Sequence, residues 1–427
     1  MAFTTVRSAS GVDFIGTPGV DVGVFFDEVG NVVATALGDS DVITVFNSTT
    51  IQRTTTLNGG DGNDIITVNS SISESSINGN NGRDTIDLNG PNITVANSFI
   101  GGGDGADEIL GGNQFLASLI TGGRGADYIE AAVTLALATI NGGDGNDTIV
   151  LFNGGGAQVF NGSSINGNSG QDVIDGTFLN VTLSGTNFIG GGSGDDTIDF
   201  TGAFTDSVVD TGFELTGGAG NDRIIGSLDN DTIRGGADND TITGGNGADD
   251  IFGGAGADDI TAAFGDDVTG GDGADTYRLG GGFSTFFIAA ISNSAAATTG
   301  TARTFDSFQN YNFAGDDRLN IVAVTNQLAG GLYVGAANAD QTNLGFVGNF
   351  SDFSALKASL DGNALSVASS TAVIESYIFT ASVGGAGAPV NNYLWIQDSQ
   401  KAYSSTDLLF QTNAVNPIDA NEIVVRV

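Results

Sequence analysis

The stretch NGGDGNDTIV, Asn141–Val150, decides how this chain is read, because its letters keep returning. NGGDGNDIITV (58–68), GGGDGADEIL (101–110) and GGNGADDIF (244–252) are near copies. Aligned as G-G-x-G-x-D-x-U-x, with U a large apolar residue, regular copies start at Gly59, Gly79, Gly102, Gly122, Gly142, Gly167, Gly191 and Gly217, 20–26 residues apart. A second series starts at Gly226, Gly235, Gly244, Gly253, Ala262 and Gly270, in steps of nine and finally eight. Two eroded copies, GTPGVD from Gly16 and ALGDSD from Ala36, precede the first series in phase. Self-similarity of this kind marks a repeat architecture, so chain length is a poor guide to domain number.

The longer period predicts coils with two sides, one made by the glycine motif and one by an insert of about 11 residues or more. Two places before each motif stands Leu57, Ile77, Ile100, Ile120, Ile140, Ile165, Ile189 or Leu215. Two places earlier stands Thr55, Ser75, Ser98, Ser118, Ala138, Ser163, Asn187 or, as the exception to small residues, Phe213. Alternate strand positions face the same way, so each insert ends in a short strand aiming one apolar and usually one small side chain inward. Each motif ends in another strand, with Ile66, Ile86, Ile109, Ile129, Ile149, Ile174, Ile198 or Ile224 inward. The expected fold is all-β, a parallel β-solenoid over residues 1–282. It has long coils to about 225 and nine-residue repeats over 226–278, each coil burying its apolar residues only against its neighbours.

Glycine takes positive φ and lets backbones approach closely, as a turn of six residues between strands requires. Such a turn gathers carbonyl oxygens, and the short aspartate at position six reaches the same space, where glutamate would overshoot. The result is an oxygen-only site for a hard cation, and calcium fits it better than magnesium, which resists dehydration. Side-chain-to-backbone turns alone explain a single eroded copy such as GTPGVD. They do not explain aspartate at one fixed position through the regular copies.

The composition agrees. Acidic residues number 50 against 12 basic ones, a net charge of −38, and 43 of the acids are aspartate. This argues against nucleic acid or an anionic membrane as partner and calls for neutralising cations. With no cysteine and no histidine, disulfides, thiolate or imidazole metal sites and histidine-based catalysis are excluded. Lysine occurs only at 357 and 401, which leaves little room for Schiff-base or phosphate-loop chemistry. The first residues lack the basic and apolar regions of a cleaved export signal, and runs such as Phe286–Ile291 are too short to span a bilayer. Membrane insertion is not expected.

GGDGNDTIV and its siblings resemble the RTX (repeat-in-toxin, hemolysin-type) calcium-binding nonapeptide. The resemblance implies a right-handed, calcium-loaded parallel β-roll, type I export through an uncleaved C-terminal signal, and folding outside the cell. Carried over by position, the metal ligands are Asp64, Asp84, Asp107, Asp127, Asp147, Asp172, Asp196 and Asp222, then Asp231, Asp240, Asp249, Asp258, Asp267 and Asp275. Backbone carbonyls of the turns at Gly59, Gly102, Gly122, Gly142, Gly235, Gly244 and Gly253 would join them. The chain departs from the pattern where only one side of each long coil carries the motif, where Asn80 and Asn168 replace second glycines, and where GSLDND and AAFGDD are eroded. About 12 filled sites would bring about +24 and link folding to metal.

After Gly281 the motif stops, so residues 283–427 form a second region, a β-rich cap with secretion and assembly roles. TFDSFQNYNFAGDDRLNIVAV (304–324) is expected to close the roll. NNYLWIQDSQKAYSSTDLLFQTN (391–413) reads as two strands around a polar turn, and ANEIVVRV (420–427) ends in a short strand. Tyr311, Tyr333, Tyr377, Tyr393, Trp395 and Tyr403 read as core more readily than as a sugar-binding groove. Three functions remain. The first is a secreted, calcium-dependent structural protein, not an enzyme, whose partner is itself in a surface layer or filament. The second is a calcium-rigidified adhesin for a cell-surface or matrix glycan, and the third a secreted carbohydrate-active enzyme working through paired carboxylates.

Overall fold

The structure, a computed structural model, describes residues 4–279 apart from 9–10, 27–30, 47–54, 91, 132–133, 152–157, 178–180, 202–211, 264 and 274. Beyond them it describes the strands Thr285–Ile288, Ser307–Gln309, Arg318–Val322, Gln341–Phe350, Glu375–Val383, Val390–Gln397, Leu408–Thr412 and Ile423–Arg426. Every regular element among the described residues is a strand, and coils pair in parallel, forming a β-solenoid. Two compact units divide between Asn230 and Asp231, close to where the repeat shortens. None of the described elements is a helix long and apolar enough to cross a membrane.

In the first unit, ten strands stack into a sheet that leads into the glycine turns: Gly11–Ile15, Asn31–Thr35, Thr55–Asp61, Ser76–Asn81, Phe99–Asp104, Leu119–Arg124, Thr139–Asp144, Ser164–Ser169, Phe188–Ser193 and Glu214–Ala219. Thr4–Ser8 lies antiparallel on the first of these. A second sheet leaves the turns, from Val22–Phe26 to Arg223–Ile225, one strand per coil. The register is what the isoleucine spacing requires. Ile77, Ile100, Ile120, Ile140, Ile165 and Ile189 stack in the first sheet and Ile66, Ile86, Ile109, Ile129, Ile149, Ile174, Ile198 and Ile224 in the second, all fully buried. Burying one such side chain contributes about 1.5–3 kcal/mol.

A third sheet, absent from the sequence-based expectation, lines the insert side: Ile72–Ser73, Thr94–Ala96, Gln114–Leu116, Thr134–Ala136, Gln158–Asn161 and Val181–Ser184. It turns Ile72, Val95, Phe115, Leu135, Phe160 and Leu183 inward. The corner from this sheet to the next strand is tight. Glu74, Asn97, Ala117 and Leu137 all take left-handed φ there, from 47° to 53°. Each gives its N–H to the following coil, as Ala117 does to the Ala136 carbonyl at 2.8 Å. The small residues beside the corner are buried as expected, and they also form hydrogen bonds between coils. Ser75 N–H reaches Ser98 Oγ, and Ser98 N–H reaches Ser118 Oγ, each at 3.1 Å. Ser163 N–H reaches Asn187 Oδ1, also at 3.1 Å. Phe213, which breaks this series, instead fills the core against Phe160 and Phe200, with centroids 5.8 and 4.6 Å apart.

Coil length varies on one side only. Between the second-sheet and third-sheet strands lie two residues after Ala131 but six after Leu151, while the glycine turn keeps its length.

In the second unit each coil is two nine-residue repeats, and the motif appears on both sides. Thr232–Ala237, Asp250–Ala255 and Asp267–Asp272 stack in one sheet, and Thr241–Thr243, Asp259–Ala262 and Thr276–Leu279 in the other. Stacking continues past residue 282. Thr285–Ile288 pairs with the first sheet, and Ser307–Gln309 with the second. The expected hairpin forms from Val390–Gln397 and Leu408–Thr412, and Ile423–Arg426 pairs with Arg318–Val322. The side chains of 304–324, the segment expected to close the roll, and those of Tyr311, Tyr333, Tyr377, Tyr393, Trp395 and Tyr403, lie outside the described residues.

Candidate metal centre

The glycine turn brings the aspartate of each coil over that of the coil before it. In the first unit the backbone N–H of each aspartate donates to Oδ1 of the next, in the order Asp21, Asp41, Asp64, Asp84, Asp107, Asp127, Asp147, Asp172, Asp196, Asp222, at 2.6–2.8 Å. All ten side chains are buried. The second unit has two shorter ladders, Asp231 to Asp249 to Asp266 and Asp240 to Asp258 to Asp275. The alternating nine-residue repeats put one ladder on each side of the coil.

The other carboxylate oxygen is the chemically informative one. Oδ2 of Asp41, Asp64, Asp84, Asp107, Asp127, Asp147, Asp172, Asp196, Asp249 and Asp258 is buried without a hydrogen-bond partner. Its neighbour is another acceptor. A Cβ added to Gly59 would collide with Asp64 Oδ2 and stand 2.6 Å from the Gly79 carbonyl oxygen. The same crowding sets Asp84 against Gly102 O, Asp107 against Gly122 O, Asp127 against Gly142 O, Asp147 against Gly167 O, Asp172 against Gly191 O and Asp258 against Gly270 O. At Gly244 the pair is Asp249 Oδ2 and Asp266 Oδ2. Any side chain at the first glycine would fill this oxygen-lined space. Two buried acceptors facing one another need a cation or a proton between them. Among the described residues no three acidic side chains gather, so an ion here would take carbonyl oxygens as well.

Burial is the main reason the carboxyls resist ionising. It holds Asp64, Asp107, Asp147 and Asp196 up at about 7, with the charges of ladder neighbours adding to it and the donated N–H opposing it. Burial raises Asp84, Asp127 and Asp258 to about 6. Asp249, also facing Asp266, rises to about 8.

The turn geometry explains the glycines. The fourth position, as at Gly105, has φ +151°, and a Cβ there would collide with the Gly82 carbonyl of the preceding coil. At the second position Asn80 and Asn168 take φ 79° and 80° in place of glycine, a conformation asparagine tolerates better than most residues.

Thirteen of the fourteen expected aspartates occupy ladder positions, and Asp267 does not. Asp266 takes its place, because the step of eight residues shortens that turn. Asp267 begins the strand Asp267–Asp272 at an exposed position opposite Asp250, while the next residue, Val268, points inward. The structure also adds Asp21 and Asp41, from the eroded N-terminal copies. Asp21 fits the expected side-chain turn, since its carboxylate accepts from the Thr17 N–H and hydroxyl. Among the expected glycine turns, the carbonyls of Gly102, Gly122, Gly142 and Gly253 face a carboxylate, and those of Gly79, Gly167, Gly191 and Gly270 join them.

A family model, the RTX calcium-binding nonapeptide repeat (4 copies), matches residues 54–70, 139–155, 181–201, 214–242 and 235–269. No curated protein matches the chain. Each matched segment carries at least one glycine turn with its buried aspartate, and by them this chain contains RTX-type calcium-binding nonapeptide repeats.

Proposed function

We propose that this is a secreted structural protein that folds on calcium and then self-assembles at or outside the cell surface, as a surface-layer or filament subunit. The observation behind this reading is the repeated pair of buried, facing acceptors, an aspartate Oδ2 and the next coil's glycine carbonyl. Calcium between them would neutralise the acceptors and tie each coil to the next. The ligands would be Asp41, Asp64, Asp84, Asp107, Asp127, Asp147, Asp172, Asp196 and Asp222 in the first unit, with Asp231, Asp240, Asp249, Asp258 and Asp275 in the second. Until the ions bind, the charge of −38 opposes compaction. Proteins built on such repeats are generally exported, and the uncleaved export signal would lie in the C-terminal region. Self-assembly is supported by the strand Val22–Phe26, which among the described residues pairs with Val42–Phe46 alone and so presents, within them, an edge that a second copy could extend.

The test is a calcium titration of chelator-treated protein, followed by circular dichroism and then negative-stain imaging. The reading expects β-structure to appear with calcium and ordered sheets or filaments to follow. Protein that folds with calcium but stays monomeric at high concentration would sink the assembly part and direct the search to glycans. Folding without calcium would sink the metal part.

A further inference from the structure

Five successive inserts of the first unit carry no charged residue. Residues 88–103, 109–123, 131–143, 148–171 and 176–194 contain neither acid nor base, in a chain whose net charge is −38. These stretches supply the third-sheet strands from Thr94–Ala96 to Val181–Ser184, the corners that follow them and the starts of the next first-sheet strands, so they stack into one uncharged face. Charge returns at both ends of it. Glu74 holds the corner of the coil before, and Glu214 pairs with Phe188 in the coil after.

Apolar side chains gather on this face. Phe99 and Leu119 are neighbours on the outer side of the first sheet, Leu116 and Ala136 on that of the third, and Ala117 and Leu137 occupy the corner between them. Leu119 is 38% exposed and Leu137 67%. Leu137 is the informative residue, because its φ is 53°. The same corner is made by Asn97 and Gly162 in neighbouring coils, and both residue types tolerate left-handed φ better than leucine. Leucine strains the backbone there and, exposed as it is, recovers little by burial within the chain. Strain kept at an exposed apolar residue points to a contact made outside the chain.

We propose that this uncharged face docks on the same face of a second copy. The proposal rests on the self-assembly reading and names a surface for it. Two chains of −38 repel one another, and a face that brings no charges together is where copies meet with least repulsion. A two-fold pair satisfies this, since one uncharged patch then faces its equal. Five coils at about 4.8 Å, each about eight residues across, give a face of roughly 24 Å by 25 Å. A pair would bury on the order of 1,200 Å², the lower end of the range for specific interfaces.

The test compares the full chain in saturating calcium with Leu137→Asn and Val173→Thr by sedimentation velocity over a concentration series, with circular dichroism and bound calcium checking the fold. Asparagine suits the corner's φ and removes the apolar contact, while Val173, 39% exposed, stands on the second sheet outside the face. The expected result is that the wild-type chain associates, that Leu137→Asn weakens association about tenfold at an unchanged calcium count, and that Val173→Thr leaves it unchanged. Added sodium chloride should strengthen wild-type association, because salt screens the repulsion between copies and leaves apolar contact intact. Association that survives Leu137→Asn, that falls equally in Val173→Thr or that weakens with salt would overturn the proposal and leave self-assembly through another surface standing. Wild-type protein that folds with calcium and stays monomeric would overturn the self-assembly reading, and this face with it.

Discussion

At the scale of the residue, one carboxylate does two jobs with two oxygens. Oδ1 of Asp127 accepts the Asp107 N–H at 2.7 Å and fixes the stacking, while Oδ2 faces the Gly142 carbonyl. Asp127→Asn keeps the first interaction and replaces the facing acceptor with an amide donor. We expect opposite signs in two conditions. In chelator at pH 8 the variant gains about 1 kcal/mol by losing an uncompensated buried charge, and in saturating calcium it loses about 2 kcal/mol and one bound ion. Thermal melts in both conditions check this; the same sign in both would remove the metal role from Asp127. The left-handed corner offers a second test. Ala117 takes φ 47° and is exposed, so Ala117→Gly relieves backbone strain worth about 1 kcal/mol and raises the melting temperature.

At the scale of the element, each strand is too short to hold by itself, and the columns of like side chains hold the stack. Ser118 shows how a polar column serves. Its Oγ accepts from Ser98 N–H at 3.1 Å and donates to the Leu116 or Val95 carbonyl at 3.0 and 3.1 Å. Ser118→Ala strands a buried N–H and should cost about 1–3 kcal/mol in urea denaturation. Much of this was legible in the sequence. The isoleucine columns, the small column and the aspartate position all follow from spacing, because a solenoid repeats its neighbours at a fixed offset. The third sheet was missed, since strands of two to four residues are too short to show a period of two. A signal was present: Ile72, Val95, Phe115, Leu135 and Phe160 each stand three places before the small residue. Asp267 was misassigned because counting positions assumes full-length turns, and one deleted residue moved the ladder place to Asp266.

At the scale of the whole molecule, the buried acids link stability to both pH and metal. Without metal, a carboxyl raised from 3.8 to about 7, as at Asp64 or Asp107, stays protonated in the fold at a pH where the unfolded chain has released its proton. The folded state then binds more protons. Its stability is fully present below pH 4 and is lost as pH rises through about 6 to 8, the range set by Asp84, Asp64 and Asp249. Chelated protein should therefore unfold more readily at pH 8 than at pH 5, measured as urea midpoints. Calcium entering at pH 6 should displace protons, seen as binding heats that change with the ionisation enthalpy of the buffer. Equal heats in all buffers would mean that the ladder is already ionised.

The unequal coil lengths carry a last consequence. In the first unit the solenoid is a ruler on its aspartate side, where each coil repeats the turn of the previous one, and a blank margin on the other. Extra residues at 152–157 or 178–180 fall in that margin. Foreign sequence grafted there, such as an epitope or an enzyme's peptide tag, would be carried at coil-defined intervals without erasing the marks that set the spacing. Doubling such a loop costs only about 0.6 kcal/mol.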